Sequence, residues 1–110
     1  MATLEMRDAI ELLGGKWKLL ILQSLSFGTK RFKDLQEALV GISSKVLSKD
    51  LQELEQNLLV TRTVNNTKPI TVSYSLTEYA YETIPVFEAL FDFGAKHRKK
   101  IKKQVMFCTK

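Results

Sequence analysis

The sequence has little to offer several kinds of chemistry. Its one cysteine, Cys108, can close no internal disulfide and is too isolated for a metal site. Its one histidine, His97, stands in a lysine-rich run and reads as solvated. There is no Ser/His/Asp set, no pair of carboxylates inside an apolar run and no cluster of ligand-type residues. The expectation is a chain that is not an enzyme and holds no cofactor and no metal. Gly14-Gly15-Lys16 is not a phosphate loop, since the earlier glycine and the hydroxyl residue after the lysine are both missing. No apolar run is long enough to span a membrane and no signal-peptide pattern opens the chain. Those absences point to a soluble, cytoplasmic protein with no membrane partner. An aromatic platform for single-stranded RNA is lacking too, because Tyr74 and the phenylalanines fall where a core or an interface is expected.

What is there suits one domain: 110 residues, of which 45% are apolar, enough to bury a core. The net charge of +5 matters less than its placement. Residues 96–110 hold seven lysines and arginines and no acid, whereas residues 1–95 hold ten against twelve acids. The body, 1–95, is therefore not basic as a whole, and 96–110 reads as a basic C-terminal extension. Any nucleic-acid surface must come from local clustering. Between Lys30 and Lys68 there is a mild excess, seven basic residues to five acidic.

Taken in order, Met6, Ala9, Ile10 and Leu13 suit a short amphipathic helix that Gly14-Gly15 stops. Leu19 to Leu25 is apolar nearly all round and reads as a central buried helix, with Trp17 anchoring its start as a structural residue. Phe27-Gly28 ends it. Lys30-Arg31-Phe32 suits a short strand or a turn. Phe32, Leu35, Ala38 and Leu39 then mark a third, short helix, broken by Val40-Gly41. Leu59 to Val64 and Thr71 to Leu76 read as two strands of a hairpin, joined by the turn chemistry of Asn65-Asn66-Thr67-Lys68-Pro69. Thr77 is placed to cap a last helical region, with a kink or break at Pro85, a second weak point at Gly94 and a possible helical extension through the cationic run Lys96 to Lys103.

The chain is organised around Gly41 to Leu58. Ser43 or Ser44 caps a fourth helix, and Leu47, Leu51, Leu54 and Leu58 form one apolar stripe along it. Lys45, Lys49 and Gln52 fall opposite that stripe, with Ser44 and Ser48 on the flanks. Such a helix can be seated by its leucines while its N-terminal half meets a DNA major groove. Two helices joined by a tight glycine turn, then a hairpin with a basic tip, make a winged helix-turn-helix in a mainly α chain with a small β-hairpin (α+β). The recognition helix would run over about 43–57 and the wing over about 59–76. Groove contacts fall to Ser43, Ser44, Lys45, Ser48, Lys49 and Gln52, and contacts to the DNA backbone or the minor groove to Lys30, Arg31, Arg62, Asn66 and Lys68. The alternative is a winged-helix protein-interaction module that binds no DNA.

Leu13-Gly14-Gly15-Lys16-Trp17, Leu20-Ile21-Leu22, Lys30-Arg31-Phe32, Gly41-Ile42-Ser43, Glu53-Leu54-Glu55, Leu59-Val60-Thr61-Arg62-Thr63-Val64 and Tyr74-Ser75-Leu76-Thr77 together resemble the HxlR-type bacterial transcriptional regulators, which are MarR-like winged-helix proteins. The resemblance runs from about Met6 to Gly94. It implies a homodimer on double-stranded DNA, repressing or activating transcription. It also implies that the first and last helices build the dimer interface, so that the winged helix is extended by a C-terminal dimerisation helix. Met6, Ile10, Ile84, Phe87, Leu90 and Phe91 are the residues expected there. Many members of that family carry a redox-sensing cysteine near the start of the first helix. Here the position is Leu4, which has no thiol, and Cys108 reads as a near-terminal cysteine without a role.

Overall fold

The computed structural model describes residues 3–108, with side chains described as far as Gln104. Five α-helices and three short strands follow one another: α1 (Thr3–Leu13), α2 (Lys18–Ser26), β1 (Lys30–Arg31), α3 (Phe32–Ala38), α4 (Ser44–Gln56), β2 (Val60–Asn65), β3 (Thr71–Leu76) and α5 (Ile84–Cys108), with one 3-10 segment at Tyr79–Thr83. The core gathers Leu13 of α1, Ile21, Leu22 and Leu25 of α2, Leu35 and Leu39 around α3, Ile42, and Leu47, Leu51 and Leu54 of α4. Leu59, Val60 and Ala80 close it from the sheet side. No side chain with a polar or charged group is buried among the described residues, so burial here is hydrophobic burial almost undiluted.

Two glycines shape the entry to the helix-turn-helix. A Cβ at Gly14 would run into the Ile10 carbonyl, which the Gly14 N–H meets at 2.6 Å, so the end of α1 needs a residue without a side chain. Gly41 holds φ +95°, which lets the chain reverse between α3 and α4 with the Trp17 ring close by. Trp17 itself is half-buried against the core at the start of α2, as expected, with the Lys16 ammonium 4.9 Å from its ring centroid.

The hairpin is part of a three-stranded antiparallel sheet of order β1-β3-β2. Lys30-Arg31 supplies the third strand, pairing Lys30 with Tyr74 and Arg31 with Ser73. Across β2 and β3 the register pairs Val60 with Leu76, Arg62 with Tyr74 and Val64 with Val72. Those residues share the face that packs toward the helices, and Thr61, Thr63, Thr71, Ser73 and Ser75 share the other.

Several expectations need correction. The apolar stripe of α4 has three leucines and not four. The helix ends at Gln56, and Leu58 takes φ +67°, which turns its side chain outward at 69% exposure. Leu59 fills the core instead, its N–H returning to the Leu54 carbonyl at 3.0 Å, the closing bond of a left-handed helix end. Leu59 accordingly precedes the strand and does not open it. The second helix is not buried on all sides, for Leu20 is exposed. Thr77 caps the 3-10 turn and not the long helix: its Oγ1 accepts from the Ala80 N–H at 3.1 Å and donates to the Leu58 carbonyl at 2.6 Å. The break at Pro85 takes the form of a fresh start. Pro85 sits in the first turn of α5, where its missing N–H costs nothing. Gly94 interrupts nothing, and α5 continues through the cationic run to Cys108, whose side chain lies outside the described residues.

Candidate nucleic-acid interface

Ser43 is the N-cap of α4, its hydroxyl accepting from the Val46 N–H at 3.1 Å. Ser44, one residue on, accepts from Nε2 of Gln36 at 2.7 Å, which ties α3 to the start of α4. Lys45, Ser48, Lys49 and Gln52 are all exposed. Leu47, Leu51 and Leu54 hold the opposite side of the helix in the core, and at 100° per residue this puts Lys45, Lys49 and Gln52 on one outward ridge. Gln56 continues that ridge at helical spacing, a residue the sequence reading passed over although its position was countable. Gln36 was passed over for a better reason. Its partner lies on another helix, and no periodicity within α3 reveals it.

The acids of α4 are handled by the body. Lys18 of α2, 13% exposed, meets Glu53 at 2.6 Å. The hydrogen bond from that ammonium holds the Glu53 carboxyl below the usual glutamate range. Asp50, on the same flank, is pushed up by burial, with Lys18 pulling the other way. The negative charge of α4 thus faces α2, and the outward ridge keeps its cations.

The sheet distributes the other candidate residues. Lys30 and Arg31 are consecutive in a strand and therefore lie on opposite faces. Lys30 and Arg62 flank Tyr74 in one row across the helix-facing side, roughly 10 Å apart at two strand spacings. Arg31 belongs to the outer face beside Ser73. It is exposed, its N–H donates to Asp34 at 3.1 Å and its Nε lies 3.7 Å from the same carboxylate. Asn66 and Lys68 stand exposed at the tip. The turn beneath them is tied by Asn65, which donates to Ser73 Oγ at 2.6 Å, and by Thr67, which donates to the Pro69 carbonyl at 2.7 Å.

On α1 and α5 the structure leaves apolar side chains uncovered. Met6, Ile10, Ile84, Leu90 and Phe91 are exposed and Phe87 is half-buried. A groove of about 480 Å³ runs between α2 and α5, lined by Lys16, Leu19, Leu20, Phe87, Leu90 and Phe91. It follows the flank of α2 away from the one that Lys18 turns to α4. No helix among the described residues is long and apolar enough to cross a membrane.

Comparison with known proteins brings in the same architecture. The profile of the HxlR-like helix-turn-helix family matches residues 12–102. The HTH-type transcriptional regulator YodB of Bacillus subtilis is 42% identical over 86 residues, which cover 78% of this chain and 77% of YodB. The uncharacterized HTH-type regulator YtcD of the same organism is 36% identical over 92 residues, covering 84% of this chain and 73% of YtcD. Among solved structures, the redox regulator HypR in its reduced form superposes with a TM-score of 0.83 at 28% identity, covering 90% of this chain and 98% of HypR. The reduced form of YodB superposes with a TM-score of 0.76 at 40% identity, covering 84% of this chain and 91% of that one.

Proposed function

This chain belongs to the HxlR-like helix-turn-helix family, and from that premise we propose how its parts divide the work of a DNA-binding transcriptional regulator. The recognition helix α4 enters the major groove with its Lys45, Lys49, Gln52 ridge, and the hairpin of β2 and β3 follows the phosphate backbone into the adjacent minor groove. The observation that carries this reading is the sorting of charge on α4: acids toward Lys18, cations and amides outward. Ser43, Ser44 and Ser48 contribute hydroxyls along the same edge. Lys30, Arg62, Asn66 and Lys68 act at phosphates, with Arg31 on the outer face of the sheet. The protein works in the cytoplasm, on chromosomal DNA.

The working unit is a homodimer built through α1 and α5. Two features support it. Met6, Ile10, Leu90 and Phe91 expose more apolar surface than a small monomer sustains in water. The radius of gyration is 17.1 Å, where about 13 Å is usual for a compact chain of this length. Residues 1–95 then form the DNA-binding and dimerising unit and 96–110 its basic extension, with α5 crossing that boundary unbroken.

Selection of bound fragments from a random duplex pool tests the reading. The expected product is a two-fold sequence with half-sites spaced about 34–36 Å apart. Recovery of unrelated fragments, or no retention on duplex DNA even at low salt, would favour the protein-interaction module instead. Within that assay, Lys49→Ala should weaken binding. If Lys49 meets a phosphate, the slope of log affinity against log salt should shrink by about 0.9. Unchanged affinity removes Lys49 from the interface.

A further inference from the structure

The wing carries an apolar patch that the phosphate-contact account leaves unused. Val64 near the end of β2 is 48% exposed, and Ile70, just before β3, is 67% exposed. Val64 pairs with Val72, and Ile70 is in phase with Val72 and Tyr74 along the strand. The helix-facing side of the sheet is buried at its base by Val60, Leu76 and Tyr74. It therefore continues past the edge of the body as a free apolar strip. Cations bracket this strip: Arg62 precedes Val64 by two residues on the same face, and Lys68 precedes Ile70 by two at the tip. The opposite face has no such strip, being built of Thr61, Thr63, Thr71, Ser73 and Ser75.

We infer that Val64 and Ile70 form an apolar edge of the wing that docks on the sugar wall of a DNA minor groove, while Arg62 and Lys68 reach the phosphates on either side. This inference rests on the function proposed above and adds its own contact chemistry. A minor groove is about 6 Å wide and its walls are deoxyribose, an apolar surface between two rows of negative charge. An apolar strip flanked by cations is the complement of that surface. The tip is held in shape for such a contact by the Asn65–Ser73 and Thr67–Pro69 hydrogen bonds. Polar side chains at 64 and 70 would remain hydrated in the free protein and would lose water on docking without a partner on the sugars.

The test uses salt to separate the two kinds of contact. The probe is a labelled duplex of about 40 base pairs recovered by selection with the full-length wild-type chain, long enough for two half-sites and their flanks. The Val64→Ser/Ile70→Ser double variant should bind it about tenfold more weakly at every salt concentration, with the slope unchanged, because an apolar contact releases no counterions. Lys68→Gln should instead reduce the slope by about 0.9. Ile70→Leu, which keeps the apolar contact, should bind like wild type. Circular dichroism and the unfolding midpoint of the double variant should match wild type, since both side chains are exposed. Wild-type affinity in the double variant overturns the inference, and so does a changed slope. So would loss of an oligomer on sedimentation with the affinity of the remaining species intact, which would assign the strip to contact between copies. If the wild-type chain recovers no duplex in the selection, the DNA-binding reading itself has failed, a result distinct from any of these.

Discussion

Leu58 bears a cost that its neighbours explain. A β-carbon in the left-handed region crowds the following carbonyl, a penalty of roughly 1–2 kcal/mol that glycine escapes. The position must be left-handed, because only that turn brings Leu59 back to the Leu54 carbonyl and into the core. The Leu58 side chain recovers little in return, being exposed. Leu58→Gly gives up some backbone entropy, roughly 0.5–1 kcal/mol, and should still stabilise the fold by about 0.5–1 kcal/mol, raising the thermal midpoint by a few degrees. Differential scanning calorimetry reads this directly, and a lower midpoint would show that Leu58 packs on something in solution.

At the scale of elements, the seating of α4 combines an apolar contact with one ion pair. Leu47, Leu51 and Leu54 fix which side of the helix faces in, and Lys18–Glu53 ties that helix to α2. The bond has a pH signature. The Glu53 carboxyl titrates below its ordinary range when folded. Its stabilising contribution is therefore complete above the ordinary glutamate range and is lost as pH falls through the lowered value. Glu53→Gln should unfold at a lower temperature than wild type near neutral pH, and the gap should close as the solution is acidified. Asp50 works in the opposite sense. Burial raises its value, so it opposes folding near neutrality and relents as pH falls through that raised value. Thermal midpoints measured across the acid range for wild type and Glu53→Gln check the prediction, and parallel curves would refute it.

For the whole molecule, the argument concerns the surface left uncovered. α1 and α5 hold Met6, Ile10, Leu90 and Phe91 in the open, beside a groove that runs along α2. Leu90→Glu should leave the winged-helix core folded, since Leu90 lies outside it, and should convert a dimer to monomer in sedimentation equilibrium. Affinity for a two-site duplex should then fall by a hundredfold or so, the order expected when one recognition helix binds where two were linked. A monomer that keeps full affinity would remove dimerisation from the mechanism. The groove along α2 and the ridge of α4 occupy different flanks of the body, so one copy can pair with another while its recognition helix remains free.

The sequence by itself determined the elements whose signals are local. Ser43 capping α4, the helical spacing of Leu47, Leu51 and Leu54, the alternation from Thr71 to Leu76, and the turn from Asn65 to Pro69 all depend on neighbours a few residues away, and the chain folds as they indicate. The outward placement of Lys45, Lys49 and Gln52 follows from the same periodicity. The tertiary structure decided whatever depends on residues distant in sequence. Leu58 was displaced by Leu59 because the core needed a side chain one residue beyond the end of the helix. Lys30-Arg31 became a strand because β3 offered a free edge, and in doing so it separated two adjacent cations onto opposite faces. Gln36 met Ser44, and Lys18 met Glu53, only once the helices had crossed. Helical and strand periods are properties of one backbone segment, whereas a partner across an interface is chosen by packing, which the one-dimensional pattern does not encode.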